Sequence, residues 1–204
     1  MKIITRIILC AIFIASYSIT AWSDEAYLNK FLTYQKWSEE LPDTANVDFL
    51  KFVEVQTPLT KKLREKWLYK LAREQNWSTY NKYYMPSDDV DLQCYALTAR
   101  LHTESKEKVL PDIKKLWLVG HSQPKACDDV FKELLKDQST NNQLINQRAS
   151  LALKANNYSL ANYLLKQSKP SQNKELLYLN LIHSNPRKVT ILNKSTLHGD
   201  FYLY

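Results

Sequence analysis

Glycine is almost missing from this chain of 204 residues, which contains it at Gly120 and Gly199 alone. Globular proteins use glycine at about 7% of positions, and the tight turns of β-hairpins depend on it heavily. Two glycines so far apart cannot serve the turns of an antiparallel sheet or a glycine-rich loop that cradles phosphate. The scarcity therefore favours a fold built from helices.

Apolar residues recur at the spacing of amphipathic helices along most of the chain. They repeat every three or four positions, which is the period of one helix face. These stripes begin at Leu59, Leu92, Ile113, Val130, Leu144 and Tyr158. The stripe from Leu144 continues through Arg148 and Leu151. The pattern predicts about nine or ten helices of one to four turns joined by short loops.

Helix boundaries can be predicted at several points. Thr57 places a capping residue before Pro58, which is suited to the first position of a helix. Gly120 follows the helical run that contains Trp117 and is expected to end that helix as a C-cap glycine. These signals indicate short helices with defined ends.

Neighbouring helices are expected to pack in pairs. The segment Leu151–Ala161 has the pattern of a helix, an asparagine turn and a second helix, and its alanines permit close packing. The pattern resembles a tetratricopeptide hairpin without the full consensus. Stacked hairpins bury their apolar stripes against one another. The predicted fold is all-α, an α-superhelix or solenoid of short antiparallel helix pairs, with residues 24–204 as one domain.

The first 23 residues have the pattern of a secretory signal peptide. Lys2 and Arg6 supply positive charge, the run Ile7–Ala15 is apolar, and small residues precede a cleavage site after Ser23. The apolar run is shorter than the roughly 20 residues that span a bilayer. We therefore expect a signal peptide over residues 1–23, export of the mature chain, and membrane contact through that peptide alone.

Export also changes the interpretation of the basic composition. Without Lys2 and Arg6, 26 basic residues stand against 21 acidic ones, a net charge of +5. In the cytosol this balance would suggest nucleic acid as a partner, but an exported protein is not expected to bind it. An anionic cell-wall polymer or membrane surface fits better, through long-range attraction and not through a specific site. The alternative is that the charge serves solubility alone.

Two cysteines, Cys94 and Cys127, remain once the predicted cleavage removes Cys10. In an oxidising compartment such a pair indicates a disulfide. In the chain-entropy model, closing this loop contributes roughly 3–4 kcal/mol. The chain has no C-x-x-C pair, and its histidines lack zinc-binding spacing. No metal site and no cofactor are therefore expected.

One string of residues is specific enough to suggest a family. The segment Leu116–Asp128 contains the pattern L-W-x-x-G-x-S-Q-P-x-A-C-D, and Q-C-Y surrounds Cys94 upstream. This combination resembles the N-terminal, all-helical U-shaped domain of soluble lytic transglycosylases. These are periplasmic enzymes that cleave peptidoglycan. Shorter segments, Asn46–Leu59 and Leu68–Trp77, are similar to the same domain.

The resemblance implies a scaffold domain and a periplasmic location. In the family, catalysis belongs to a separate lysozyme-like domain, where a glutamate in a Glu-Ser motif cleaves the glycan and leaves a 1,6-anhydro product. Glu104 and Ser105 repeat that dipeptide here, but Lys106 and Glu107 follow where the family has an aromatic residue and glycines. No catalytic residue is carried over. No catalysis is expected from this chain alone.

The function expected from the resemblance is a non-catalytic periplasmic scaffold. It would dock on peptidoglycan or support a murein-cleaving cell-wall enzyme. One alternative is a truncated part of an active peptidoglycan lytic transglycosylase, and another is a helical-repeat adaptor for proteins.

The C-terminal residues Phe201–Tyr204 lack a polar cap, which predicts an apolar edge that frays or self-associates.

Candidate sugar contacts come from one aromatic group. It consists of Trp77, Tyr80, Tyr83 and Tyr84. Aromatic rings can stack on the apolar faces of glycan rings. The alternative is packing between helices, with the tyrosine hydroxyls reaching solvent.

Overall fold

The computed structural model describes residues 25–168 and 174–187. The predicted signal peptide and the predicted open edge at Phe201–Tyr204 lie outside these ranges. Within them the chain forms α-helices and short 3-10 segments without a β-strand, so the all-α prediction is confirmed. None of the helices in these ranges is both long and apolar enough to cross a membrane.

Ten α-helices follow one another along the described residues. They are α1 (residues 25–39), α2 (Val47–Glu54), α3 (Pro58–Arg73), α4 (Trp77–Tyr83), α5 (Val90–Thr103), α6 (Lys106–Trp117), α7 (Asp128–Leu134), α8 (Gln138–Lys154), α9 (Tyr158–Leu165) and α10 (Lys174–Ser184). A 3-10 segment, Lys125–Cys127, leads directly into α7. The chain divides into two compact units, residues 1–79 and 80–204, and the division falls within α4. The single-domain interpretation of residues 24–204 stays a prediction.

The first unit is organised around α3. The Thr57 hydroxyl accepts a hydrogen bond from the Thr60 backbone N–H at 3.3 Å, and the Thr60 hydroxyl accepts one from the Thr57 N–H at 2.9 Å. This reciprocal capping box, with Pro58 at the first turn, confirms the predicted helix start. Trp67 then meets the edge of Phe49 from α2, with ring centroids 5.0 Å apart. The two helices therefore contact each other through buried aromatic rings.

The second unit shows the expected packing of consecutive helices. Helix α5 packs on α6, α6 on α7, α8 on α9, and α9 on α10. Their buried faces join in one core, which includes Cys94, Ile113, Trp117, Ile145 and Leu164. A disulfide joins Cys94 of α5 to Cys127 of the 3-10 segment, with Cα atoms 4.9 Å apart.

Gly120 does not cap a helix, contrary to expectation. Helix α6 ends at Trp117 with Leu118 as its C-cap, and the φ angle of Gly120 lies outside the left-handed region. Glycine is required there because a Cβ atom would lie 2.5 Å from the Leu151 carbonyl oxygen and 2.8 Å from the Ala155 Cβ. The left-handed positions beyond α3 and α8 are taken by Gln75 (φ 55°) and Asn156 (φ 58°).

Candidate functional site

The loop that carries the sequence motif is fastened to α8. The Trp117 indole N–H donates to the Leu144 carbonyl at 3.0 Å. The Nη2 group of Arg148 donates to the His121 carbonyl at 3.3 Å. Together with the close approach of Gly120, these contacts hold the loop against one side of α8. The motif is therefore first of all a packing element between α6, the 3-10 segment and α8.

Arg148 lies at the centre of this arrangement. It is 4% exposed, and its guanidinium carbon lies 4.3 Å from the Trp117 ring centroid and 5.2 Å from that of Phe131. The two rings meet edge to face with centroids 5.1 Å apart. Such cation–π contacts stabilise a desolvated guanidinium. Burial lowers the pKa of Arg148 from its ordinary value, but arginine keeps its proton in proteins.

The charge of Arg148 is poorly compensated by the protein. Its Nε has no hydrogen-bond partner within the described part of the chain. Among the described residues, the electrostatic influence on its pKa comes from the Tyr163 hydroxyl, which acts against the lowering by burial. A buried charge without a paired partner is costly. This is the kind of group that a bound anion would satisfy.

A cavity of about 520 Å³ opens beside Arg148. Its apolar wall consists of Trp117, Phe131, Leu135, Leu160 and Leu164. Its polar lining consists of Ser122, Gln123, Asp128, Lys132, Ser159, Tyr163 and Gln167. Ligand sites in proteins are typically concave, mostly apolar and provided with a few converging polar groups, at volumes of about 300–1,000 Å³. This cavity has that size, and it combines an apolar wall with a larger number of polar lining residues.

The rim of the cavity is exposed, whereas its floor is buried. Tyr163 is 63% exposed beside the buried guanidinium. The Lys132 side chain is 74% exposed and forms an ion pair with Asp129 at 3.0 Å. Exposed pairs of this kind are weak in water, so Lys132 is able to turn towards a ligand. Arg148 and Lys132 outnumber the single carboxylate of the lining, Asp128.

The predicted sugar-binding aromatics do not form one exposed surface. Tyr80 is completely buried, and its hydroxyl donates to the Leu92 carbonyl at 2.8 Å. Its ring stacks on Tyr84 with centroids 5.8 Å apart and meets the edge of Tyr95 at 6.5 Å. A ring without exposed surface offers no platform to a sugar. Tyr80 packs in the core, but its hydroxyl is buried there and does not reach solvent as the packing alternative expects.

The other members of the aromatic group are partly buried. Trp77 belongs to the first unit, and Tyr83 and Tyr84 belong to the second. The Lys82 ammonium lies 5.2 Å from the Tyr83 ring centroid. Burial raises the pKa of Tyr84 above its ordinary value, against the lowering effect of a backbone hydrogen bond at Ser87. Sugar contact through Trp77, Tyr83 and Tyr84 stays a prediction.

The Glu104 carboxylate is engaged in an ion pair. Arg100 donates from Nε to Oε1 at 2.9 Å and from Nη2 to Oε2 at 3.2 Å, and its Nη1 donates to Asp112 at 2.8 Å. The hydrogen bonds from Arg100 lower the pKa of Glu104. A general acid at a glycosidic bond needs a raised pKa. Glu104 is therefore suited to ion pairing and not to proton donation.

Histidines and carboxylates are scattered in the described ranges. No group of three or more metal-ligating side chains comes together there. His183 instead stacks on Tyr158, and its Nδ1 lies 3.1 Å from the tyrosine hydroxyl. The feature that sequence reasoning missed is Arg148. Its one signal was a charged residue at an apolar position of a helical stripe.

One comparison with known families disagrees with the others. A model described as cucumovirus coat protein matches residues 65–180. Viral capsid domains are commonly jelly rolls of β-strands, whereas the described part of this range is helical and has no strand. The relatives below agree with one another in sequence and in fold. We therefore do not assign the chain to the coat proteins.

The curated relatives of this chain are named as soluble lytic murein transglycosylases. The soluble lytic murein transglycosylase of Escherichia coli K12 is 25% identical over 177 residues, which is 85% of this chain and 27% of the relative. The same protein from Salmonella typhimurium LT2 matches with the same identity and coverage. The chain thus spans little more than a quarter of the length of the curated relatives it matches.

Solved structures agree with the curated relatives. The 70 kDa soluble lytic transglycosylase of Escherichia coli has a TM-score of 0.72 at 25% identity, over 85% of this chain and 29% of that one. Its complex with bulgecin A gives the same values. An inactive mutant of the Pseudomonas aeruginosa enzyme has a TM-score of 0.70 at 27% identity, over 86% and 29%.

The matched part of the Escherichia coli enzyme is its helical superhelix, which confirms the superhelical prediction. Sequence and fold point to the same proteins over the same share of the chain. Over about 85% of its length, the chain therefore resembles a partial, N-terminal-like region of the soluble lytic murein transglycosylases.

Proposed function

We propose that this chain is a non-catalytic periplasmic scaffold that docks on peptidoglycan. The observation that carries the proposal is the joint match in sequence and fold, over 85% of the chain, to enzymes named for murein. The matched region is the superhelix of these enzymes. A helical array of this kind offers an extended surface for binding.

The ionisation of three carboxylates supports a role other than cleavage. Hydrogen bonds with Arg100 lower the pKa values of both Glu104 and Asp112. Hydrogen bonds with Lys106 and Lys136 lower that of Glu133. Transglycosylation needs a protonated carboxyl held against the glycosidic oxygen. Carboxylates that are held ionised favour a role in packing and surface charge.

A second candidate is a part of a larger, active murein transglycosylase. The coverage of 27–29% of the relatives favours it. In that case the helices would hold the glycan for a catalytic domain, and the binding role would be the same. The two candidates differ in whether glycan is cleaved when this chain is present.

Incubation of the purified chain with isolated peptidoglycan sacculi tests the binding that both candidates share, and it tests whether this chain cleaves glycan by itself. We expect the chain to sediment with the sacculi and to release no 1,6-anhydro products above a boiled control, by mass spectrometry. The Glu104→Gln variant should bind and behave alike. Release that this substitution abolishes would make Glu104 a catalytic acid and overturn the proposal. Failure to sediment would refute docking on peptidoglycan.

The periplasmic location is testable in cells. After expression in a Gram-negative host, we expect the chain in the periplasmic fraction, released by osmotic shock. Its mature N-terminus should begin at Asp24, because cleavage is predicted after Ser23. Retention in the cytoplasm with Met1 or Lys2 at the N-terminus would contradict the location.

A further inference from the structure

Arg148 is placed as the cation of a binding site. It is 96% buried, since 4% of its surface is exposed, and it forms part of the wall of a cavity of about 520 Å³. Its Nε lacks a partner within the described residues, and no carboxylate of those residues influences its pKa. The Trp117 and Phe131 rings pack against the guanidinium from within the core. A guanidinium held this way presents a rigid set of donors, which matches a carboxylate.

We propose that this cavity binds a carboxylate carried on a peptide, with Arg148 as its cation. The proposal rests on the proposed function in one respect: peptidoglycan supplies such a group on the peptides attached to its glycan chains. The site therefore recognises the peptide of the wall and not its sugars. Arg148 lies under the bound carboxylate, and Lys132 approaches it from the rim.

The rest of the cavity favours a peptide over a small inorganic anion. Asp128 would repel a phosphate ion, but it accepts hydrogen bonds from the amide or ammonium groups of a peptide. Leu160 and Leu164 provide apolar surface that an inorganic anion cannot use. Tyr163, exposed at the rim, covers aliphatic parts of the ligand. Apolar wall, cation and acceptor together match the composition of a short peptide.

Calorimetric titration of the full chain with an N-acetylmuramoyl tripeptide tests the site. The tripeptide with free carboxylates is compared with the same compound in which the carboxylates are amides. We expect the free form to bind at least about tenfold more tightly, as for loss of a charge-assisted hydrogen bond. Equal affinities would overturn the proposal. Competition by inorganic phosphate at the same concentration as the peptide would also overturn it.

Two substitutions locate the binding on the protein. Arg148→Met should lower the affinity for the free tripeptide about tenfold or more, and Arg64→Met, at a second buried arginine, should not change it. Lys132→Gln should weaken binding about threefold without touching the core. Its matched control is Lys115→Gln, because Lys115 is 77% exposed and pairs with Asp112 at 2.8 Å. Equal affinities of the Lys132 and Lys115 variants would place the peptide elsewhere.

The results separate this inference from the proposed function. The chain could sediment with sacculi while its affinity for the tripeptide is unchanged by amidation and by the Arg148 and Lys132 substitutions. In that case docking stands and the carboxylate site is wrong. If the free tripeptide binds as expected but sacculi do not, the carboxylate site stands and docking on the wall is wrong.

Discussion

Two buried arginines in the two units have different surroundings. Arg64 of α3 is 7% exposed and Arg148 of α8 is 4% exposed, and burial lowers the pKa of both. The Nη2 group of Arg64 donates to the carbonyl of Val53, in the last turn of α2. Carbonyls at a helix C-terminus lack intrahelical partners and carry partial negative charge. The first unit therefore satisfies its buried cation from within.

Arg148 is held mainly by aromatic rings. Within the described residues, its backbone acceptor is the His121 carbonyl at 3.3 Å, and it also contacts Trp117, Phe131 and the cavity. The comparison teaches that burial of an arginine does not by itself indicate a site. A helix end makes one of them a structural residue, and an open cavity makes the other a candidate for binding.

Removal of Trp117, whose ring supports Arg148, should have the largest effect on stability. Trp117→Ala should lower the free energy of unfolding of the second unit by about 3–5 kcal/mol, because it empties a core position and removes the support of Arg148. Trp67→Ala should destabilise the first unit by a similar amount, since Trp67 is fully buried. Urea unfolding, monitored separately in each unit by the hydrogen exchange of its amides, measures both changes. If Trp117→Ala costs below about 1 kcal/mol, Trp117 is not part of a close-packed core.

The disulfide should stabilise the second unit selectively. Replacing Cys94 and Cys127 by alanine should cost about 2–4 kcal/mol, as expected for a cross-link that closes a long loop. The hydrogen exchange rates of the amides of α3, in the first unit, should change far less. Thiol titration of the denatured, unreduced wild-type chain should find no free thiol on these cysteines. Two titratable thiols would show that the bond is absent.

Substitution of the two arginines by methionine tests the comparison most directly. Arg64→Met should destabilise the chain by about 1–3 kcal/mol, because a buried carbonyl loses its charged donor. Arg148→Met should change stability by less than about 1 kcal/mol, because an apolar side chain replaces a poorly paired charge. Chemical denaturation of both variants measures the difference. A larger loss at Arg148 than at Arg64 would make Arg148 the structural residue and reverse the interpretation.

Acidification should have the smallest effect on stability, and it should act on the second unit. Hydrogen bonds from Arg100 and Lys115 lower the pKa of Asp112 below its ordinary value of 3.8. A lowered pKa in the folded state adds stability that is present above the unfolded value and is lost as the pH falls through the folded one. Stability should therefore decline below about pH 4. Asp112→Asn should reduce that decline in urea midpoints measured against pH, and an unchanged profile would contradict the assignment.

The elements of this fold were predictable where local chemistry decides them. The scarcity of glycine and the helical spacing of apolar residues correctly predicted an all-α chain, and Thr57 with Pro58 correctly marked the start of α3. Gly120 was correctly singled out for the wrong reason. Its role depends on the backbone of Leu151, which lies 31 positions away and cannot be recognised from a local pattern.

The candidate site was largely hidden from sequence reasoning. Arg148 occupies an apolar position of its helical stripe, but the rings beneath it come from α6 and α7. Tyr80 had the residue type of a sugar contact and proved to be buried. Whether an aromatic or charged residue faces a core or a cavity is set by packing between distant segments. A single sequence does not carry that information.

The bond between Cys94 and Cys127 also has a mechanical consequence. A pulling force on the two ends of the chain passes through the sulfur atoms and bypasses the 33-position stretch that they enclose. Fully extended, that stretch would add about 110 Å of contour length, and it contains α6 and the Trp117 loop. In single-molecule stretching, the oxidised chain should extend by about 110 Å less than the reduced chain. If the chain docks on a wall under tension, as proposed, the bond would shield this segment from load.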